Sequence, residues 1–208
     1  MKKILALAAF VAFSTAVLGA ADPRLFFSKK FPGSAPEYYE ITVEKDGSSV
    51  YKEAPDDDFP LKFQLQPAEV EAMFSLAEKL GHFSRPLESP LKVARMGLKT
   101  LRFEDGGGKP NEVQFNFSED LDARALTDWF EKISESAQVY GILERSVKYD
   151  KLGVNKAILR FEAAKEKGRI VSLPTFLPLL DRVAKNESYL NMARARAGAL
   201  AEAIRAAQ

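Results

Sequence analysis

The sequence predicts an α+β fold. An antiparallel sheet of about five strands, ordered βββαββ with one packed helix, precedes a C-terminal antiparallel hairpin of two long helices. Three observations carry this prediction. Short segments on either side of residue 70 alternate apolar and polar residues and are separated by turn signals. From Asp120 onward the apolar residues recur at helical spacing instead. Strand-like and helical segments are segregated along the chain, so no βαβ unit is expected.

The chain opens with Met1-Lys2-Lys3, an apolar run from Ile4 to Leu18, and the small residues Gly19-Ala20-Ala21. This is the three-part layout of a secretory signal peptide, and residues 1–21 read as the targeting segment of an exported bacterial protein, periplasmic or secreted. Ser14 and Thr15 interrupt the run, which barely reaches the roughly 18–20 residues of a membrane span, an uncleaved anchor being the alternative to a cleaved signal. No stable span is expected once the segment is cleaved. The 208 residues contain no cysteine, so export brings no disulfide and the fold rests on burial, to which fifteen Phe contribute. Without Lys2 and Lys3 the formal net charge falls from +1 to −1. That balance supplies no global basic field for nucleic acid or for anionic lipid.

Residues 22–118 make up the expected sheet domain. Pro23, Pro32, Gly33 and Pro36 mark residues 22–37 as an irregular lead-in, with Leu25, Phe26, Phe27 and Phe31 tucked onto the body. Tyr39, Ile41 and Val43 alternate with Glu40, Thr42 and Glu44, which is the pattern of a half-buried strand. Asp46-Gly47 is a hairpin turn, with Ser49 to Ala54 as the returning strand. Leu61 to Leu65 reads as a third strand. Pro67 suits the first turn of a helix, and Val70, Met73, Phe74, Ala77 and Leu80 form its apolar stripe before Gly81 ends it. A second hairpin follows, with segments around Gly97–Glu104 and Glu112–Phe117 joined at Asp105-Gly106-Gly107-Gly108.

Residues 119–208 make up the expected helical hairpin, packed on the sheet as part of one unit. Its first stripe runs through Leu126, Trp129, Phe130, Ile133, Ala137, Tyr140, Leu143 and Val147 and can extend to Phe161, with Gly153 the weak point. Trp129 is expected to be buried between sheet and helices. After Gly168 and Ser172-Leu173-Pro174, a last helix carries Phe176, Leu180, Val183, Leu190, Ala197, Leu200 and Ile204.

Candidate chemistry is sparse. His82 is the single histidine, so nucleophile systems that use a His base depend on it and a multi-His zinc site is excluded. It stands just after a helix C-terminus, where a protonated imidazole is favoured by the dipole, and near Arg85 and Glu88 it also forms a candidate polar site. Asp56-Asp57-Asp58 lacks the spaced ligands and central Gly of a calcium loop and reads as solvated. Gly106-Gly107-Gly108-Lys109 is followed by Pro110 and joins two strands, so it reads as a hairpin loop and not a phosphate loop. Neither a metal nor a cofactor is implied. Arg194, Arg196 and Arg205 on the Ala-rich last helix are candidate contacts for an acidic partner, set against the ordinary reading of solvated arginines.

These readings lead to the expectation of an exported, non-catalytic binding or structural module of the cell envelope. A protein partner is expected at the C-terminal helices or at a sheet edge. The alternatives are an envelope hydrolase that uses carboxylates, with or without a metal, and a proteinaceous inhibitor that presents the Asp105–Asn111 loop to an exported enzyme.

Overall fold

The computed structural model describes residues 22–207. The targeting segment read over residues 1–21 lies outside the described residues. Six strands form one antiparallel sheet: β1 (Arg24–Lys30), β2 (Tyr38–Glu44), β3 (Ser48–Lys52), β4 (Leu61–Gln64), β5 (Leu98–Glu104) and β6 (Asn111–Phe115). Their spatial order is β4-β3-β2-β1-β5-β6. The helices are α1 (Pro67–Lys79), α2 (Leu121–Tyr149), α3 (Val154–Glu166), α4 (Leu177–Lys185) and α5 (Asn191–Ala206).

The sheet has one strand more than the alternation suggests, and it is a central one. The expected lead-in contains β1, which pairs with β2 on one side and β5 on the other. Leu25 and Phe27 are fully buried on its inner face. Phe26 breaks the alternation because it is apolar on the outer face, where the Arg102 guanidinium covers its ring at 4.1 Å. The punctuating Pro32, Gly33 and Pro36 lie beyond the strand, in the turn to β2. The outer face carries a lattice of half-exposed charges, including Arg24–Glu104 at 2.5 Å, Arg102–Glu104 at 2.8 Å and Lys52–Glu40 at 3.5 Å. One buried and one solvated face is the usual state of an antiparallel sheet.

The expected stripe of α1 is buried: Val70, Met73, Phe74 and Ala77, with Leu80 just beyond. At its start the Glu69 carboxylate accepts from the Gln66 N–H at 2.8 Å and also from the Ser172 N–H at 3.0 Å. Ser172 Oγ in turn donates to the Gln64 carbonyl. These bonds tie the segment before α4 to the sheet and to the first turn of α1.

Asp120 caps α2, accepting from the N–H groups of Asp122 at 2.9 Å and Ala123 at 3.2 Å. The helix contributes to two apolar cores. Leu126, Phe130, Ile133 and Ala137 join the sheet and α1, whereas Val139, Leu143 and Val147 join α3, α4 and α5. Trp129 departs from expectation. It is only half-buried at the margin of the first core, because Phe130, one position on, occupies the centre.

The C-terminal part holds four helices where two long ones are expected. The first break is at Asp150–Gly153, where the Asp150 carboxylate accepts from the Gly153 N–H at 2.9 Å. A Cβ at Gly153 would collide with that carboxylate unless the Asp150 side chain shifted. The second break follows Lys185. Asn186 Oδ1 accepts from the Ser188 N–H at 2.9 Å, and the buried Tyr189 donates its hydroxyl to the Val147 carbonyl at 2.9 Å. Among the described residues no helix is long and apolar enough to cross a membrane.

Candidate binding surface

The sequence candidates are distributed over the molecule. His82 has a left-handed backbone (φ 50°) between Gly81 (φ 60°) and Phe83 (φ 63°), and its ring centroid is 4.2 Å from that of Phe103. The cleft it borders, about 410 Å³, is lined also by Lys45, Glu71, Phe74 and Glu78. Arg85 points elsewhere and pairs with Asp120 at 2.5 Å. This guanidinium holds the Asp120 carboxyl below the usual carboxylate range, aided by the backbone bonds of the cap. Glu88 accepts from the Asn116 N–H at 2.5 Å. Asp57 bonds the N–H groups of Phe59 at 2.9 Å and Glu53 at 3.3 Å within its own loop. His82, Arg85, Glu88 and the Asp56–Asp58 loop therefore do not meet in one pocket. Among the described residues, no three of His, Asp and Glu are grouped closely enough to hold a metal ion.

The C-terminal arginines are engaged internally. Arg196 pairs with Glu162 of α3 at 2.7 Å, and Arg205 with Asp181 of α4 at 2.5 Å. Arg194 donates to the Ala184 carbonyl and to Asn191, each at 3.4 Å. The Asp105–Asn111 loop is a hairpin connection, with Asp105 Oδ1 accepting from Gly107 and Gly108 at 3.0 Å.

A different surface emerges at the end of the sheet where β1 and β5 meet. Strand register sets Tyr39, Lys29, Lys99 and Phe115 in one row across the inner face. Lys29 reaches Glu131 of α2 at 2.7 Å. Lys99 is buried and donates to the Asn116 carbonyl at 2.7 Å. Burial, then the neighbouring Lys29 charge, lowers its pKa. One position further along, Lys30 faces Leu98 across the strands.

Beyond that pair two loops approach each other. The β1–β2 turn is closed by the Phe31 N–H donating to the Glu37 carbonyl at 2.8 Å and by Ser34 Oγ donating to the Pro36 carbonyl at 2.7 Å. The segment leading into β5 is strapped to Asn116, whose Oδ1 accepts from the Met96 N–H at 2.6 Å while its Nδ2 donates to the Ala94 carbonyl at 3.0 Å. Gly97 (φ 94°) lets the two loops touch, since a Cβ there would stand 3.0 Å from Phe31 Cβ. Between them lies an open cleft of about 460 Å³ lined by Phe31, Pro32, Leu98, Lys30 and Arg95, with Gly97 and Asn116 beneath.

This surface combines exposed apolar side chains with cations, and the Glu88 carboxylate stands beside it on the Asn116 N–H. In the cleft Leu98 is 49% and Phe31 37% exposed, and in the segment leading into β5 Leu91, Val93 and Met96 also stand out to solvent. Lys30, Lys92 and Arg95 take part in no ion pair among the described residues. Large side chains left in water beside unpaired cations suit a ligand that is both apolar and anionic. Sequence reasoning passed over the residues from Leu91 to Leu98 and expected Phe31 to be tucked onto the body, whereas Phe31 stays exposed at the turn after β1. The available signal was the alternation of Leu91, Val93, Met96 and Leu98 with Lys92 and Arg95 in a loop, together with the Lys29-Lys30 doublet before Phe31.

In comparisons with known proteins, no family model matches the chain, and neither a curated protein nor a solved structure matches it.

Proposed function

We propose that the protein is an exported, non-catalytic binding module of the cell envelope that takes an acidic, apolar segment of a protein partner into the cleft at the end of β1 and β5. The observation that carries this reading is the pair of cations without ion-pair partners, Lys30 and Arg95, around exposed Phe31 and Leu98. Charge there steers an acidic segment, and the apolar side chains supply the contact that holds it. The basic start, apolar run and small residues of the first twenty-one positions support export.

The test is a pull-down from envelope extract with the wild-type chain and with Arg95→Glu and Leu98→Asp. A partner recovered by the wild type and lost from both variants supports the reading. Equal recovery by Arg95→Glu overturns it. A parallel variant with alanine at Arg194, Arg196 and Arg205 should retain the partner, because those side chains are committed to bonds within the helical lobe.

A further inference from the structure

The helical lobe ends in a second exposed surface, far from the cleft. Asn116 of the cleft lies just before α2, and the 29 residues of that helix span about 43 Å at 1.5 Å per residue. At its far end, the bond from Tyr189 to the Val147 carbonyl sets the α4–α5 turn against the α2–α3 turn. Four large side chains stand out from these two turns: Tyr149 at 84% exposure, Leu152 at 80%, Met192 at 60% and Leu190 at 47%. Around them, Arg145, Lys151, Lys156 and Lys185 are exposed and take part in no ion pair among the described residues. Of the nearby acids, Glu144 is paired with Lys148, which leaves Asp150 and Glu187 as two negative charges against these four positive ones.

We propose that this tip docks on an anionic lipid surface. A stable protein interface buries about 800 Å² per partner from some 20–30 residues, and the tip offers four apolar side chains on two tight turns. A deformable bilayer needs no matching concavity. Tyr, Leu and Met enter the boundary of the acyl chains, while lysine and arginine stems reach back to anionic headgroups. The proposal does not depend on the cleft at the sheet end.

The experiment is co-sedimentation with vesicles of one part phosphatidylglycerol to two parts phosphatidylcholine, and with phosphatidylcholine alone. The chain used starts at Asp22, because the apolar run Ile4–Leu18 would itself enter a bilayer. That chain retains every residue of both cores, which extend from Leu25 to Ile204. The expected result is sedimentation with the anionic vesicles only, released by added salt. Leu152→Asp should weaken it about tenfold, the order for withdrawing one large apolar side chain. Its thermal midpoint should be unchanged, since Leu152 is outside both cores, and Arg95→Glu should bind vesicles as the wild type does. The same Leu152→Asp comparison in the full-length chain should lower the salt-released fraction. Three results overturn the proposal: no sedimentation with the anionic vesicles, sedimentation undiminished by Leu152→Asp, or a self-association that Leu152→Asp abolishes, which would make a second copy the occupant.

Discussion

The ring of Phe27 on the central strand lies 4.8 Å from that of Phe130 on the long helix, within 7° of parallel. Both side chains are fully buried. This stack joins the strand that receives the most pairing to the helix shared by both cores. Truncating Phe130 to alanine should cost about 3–5 kcal/mol, from lost transfer energy plus the cavity left behind. Trp129→Ala should cost clearly less, about 1–2 kcal/mol, because that ring lies at the core margin. Chemical denaturation of the two variants checks the order, and an equal loss would place Trp129 at the centre after all.

Gly97→Ala tests the contact between the two loops of the cleft. The backbone there is left-handed (φ 94°) and the new Cβ would press on Phe31. A loss of about 1–2 kcal/mol is expected. Partner binding should weaken along with stability, whereas Gly33→Ala, with open space around its Cβ position, should carry only the backbone cost. Thermal melts of both variants separate the two contributions.

Glu69→Ala should loosen the attachment of the helical lobe. It removes the acceptor for two N–H groups, on Gln66 and on Ser172. A loss of about 1–3 kcal/mol is expected for leaving such donors unpaired. Amide exchange should quicken at Ser172 more than within α5, and uniform quickening would argue against a local tie.

The cap of α2 is sensitive to acid. The Asp120 pKa is depressed by the hydrogen bond from Arg85 and by the cap bonds, so its contribution is present above the usual carboxylate value of 3.8 and is lost as pH falls through the lowered folded value. Asp120→Ala should cost about 0.5–2 kcal/mol near neutral pH. The gap between variant and wild type should close as the pH drops below that usual value. A gap that persists in acid would show that the carboxylate charge does not sustain the cap.

Much of the architecture is legible in local patterns. The alternation of Tyr39, Ile41 and Val43, the Asp46-Gly47 turn and the stripe from Val70 to Leu80 all appear in the structure where the sequence places them. Periodicity works for these segments because each has a single buried face. It fails for β1, since Phe26 is apolar on the solvent face and is sheltered by Arg102. Arg102 lies far away in the chain, so no local window contains it. The break at Asp150–Gly153 falls at the weak point that the sequence marks, whereas the break at Asn186 is missed for a related reason, since the apolar stripe continues across it while a hydrogen bond of Asn186 turns the backbone.

The candidate surfaces were less legible still. His82, Arg85 and Arg194 stand out by residue type, yet their surroundings are set by partners remote in sequence: Phe103, Asp120 and Ala184. Conversely, Leu98, Arg95 and Phe31 are unremarkable one at a time, and only the pairing of β1 with β5 brings them to one cleft. The sequence by itself determined the class of fold, most element positions and the apolar faces, because these follow from short-range spacing and turn chemistry. The tertiary structure decided which charges are neutralised, which apolar side chains stay in water and how the helices divide between two cores. Those depend on contacts between distant segments, and spacing along one chain does not encode them.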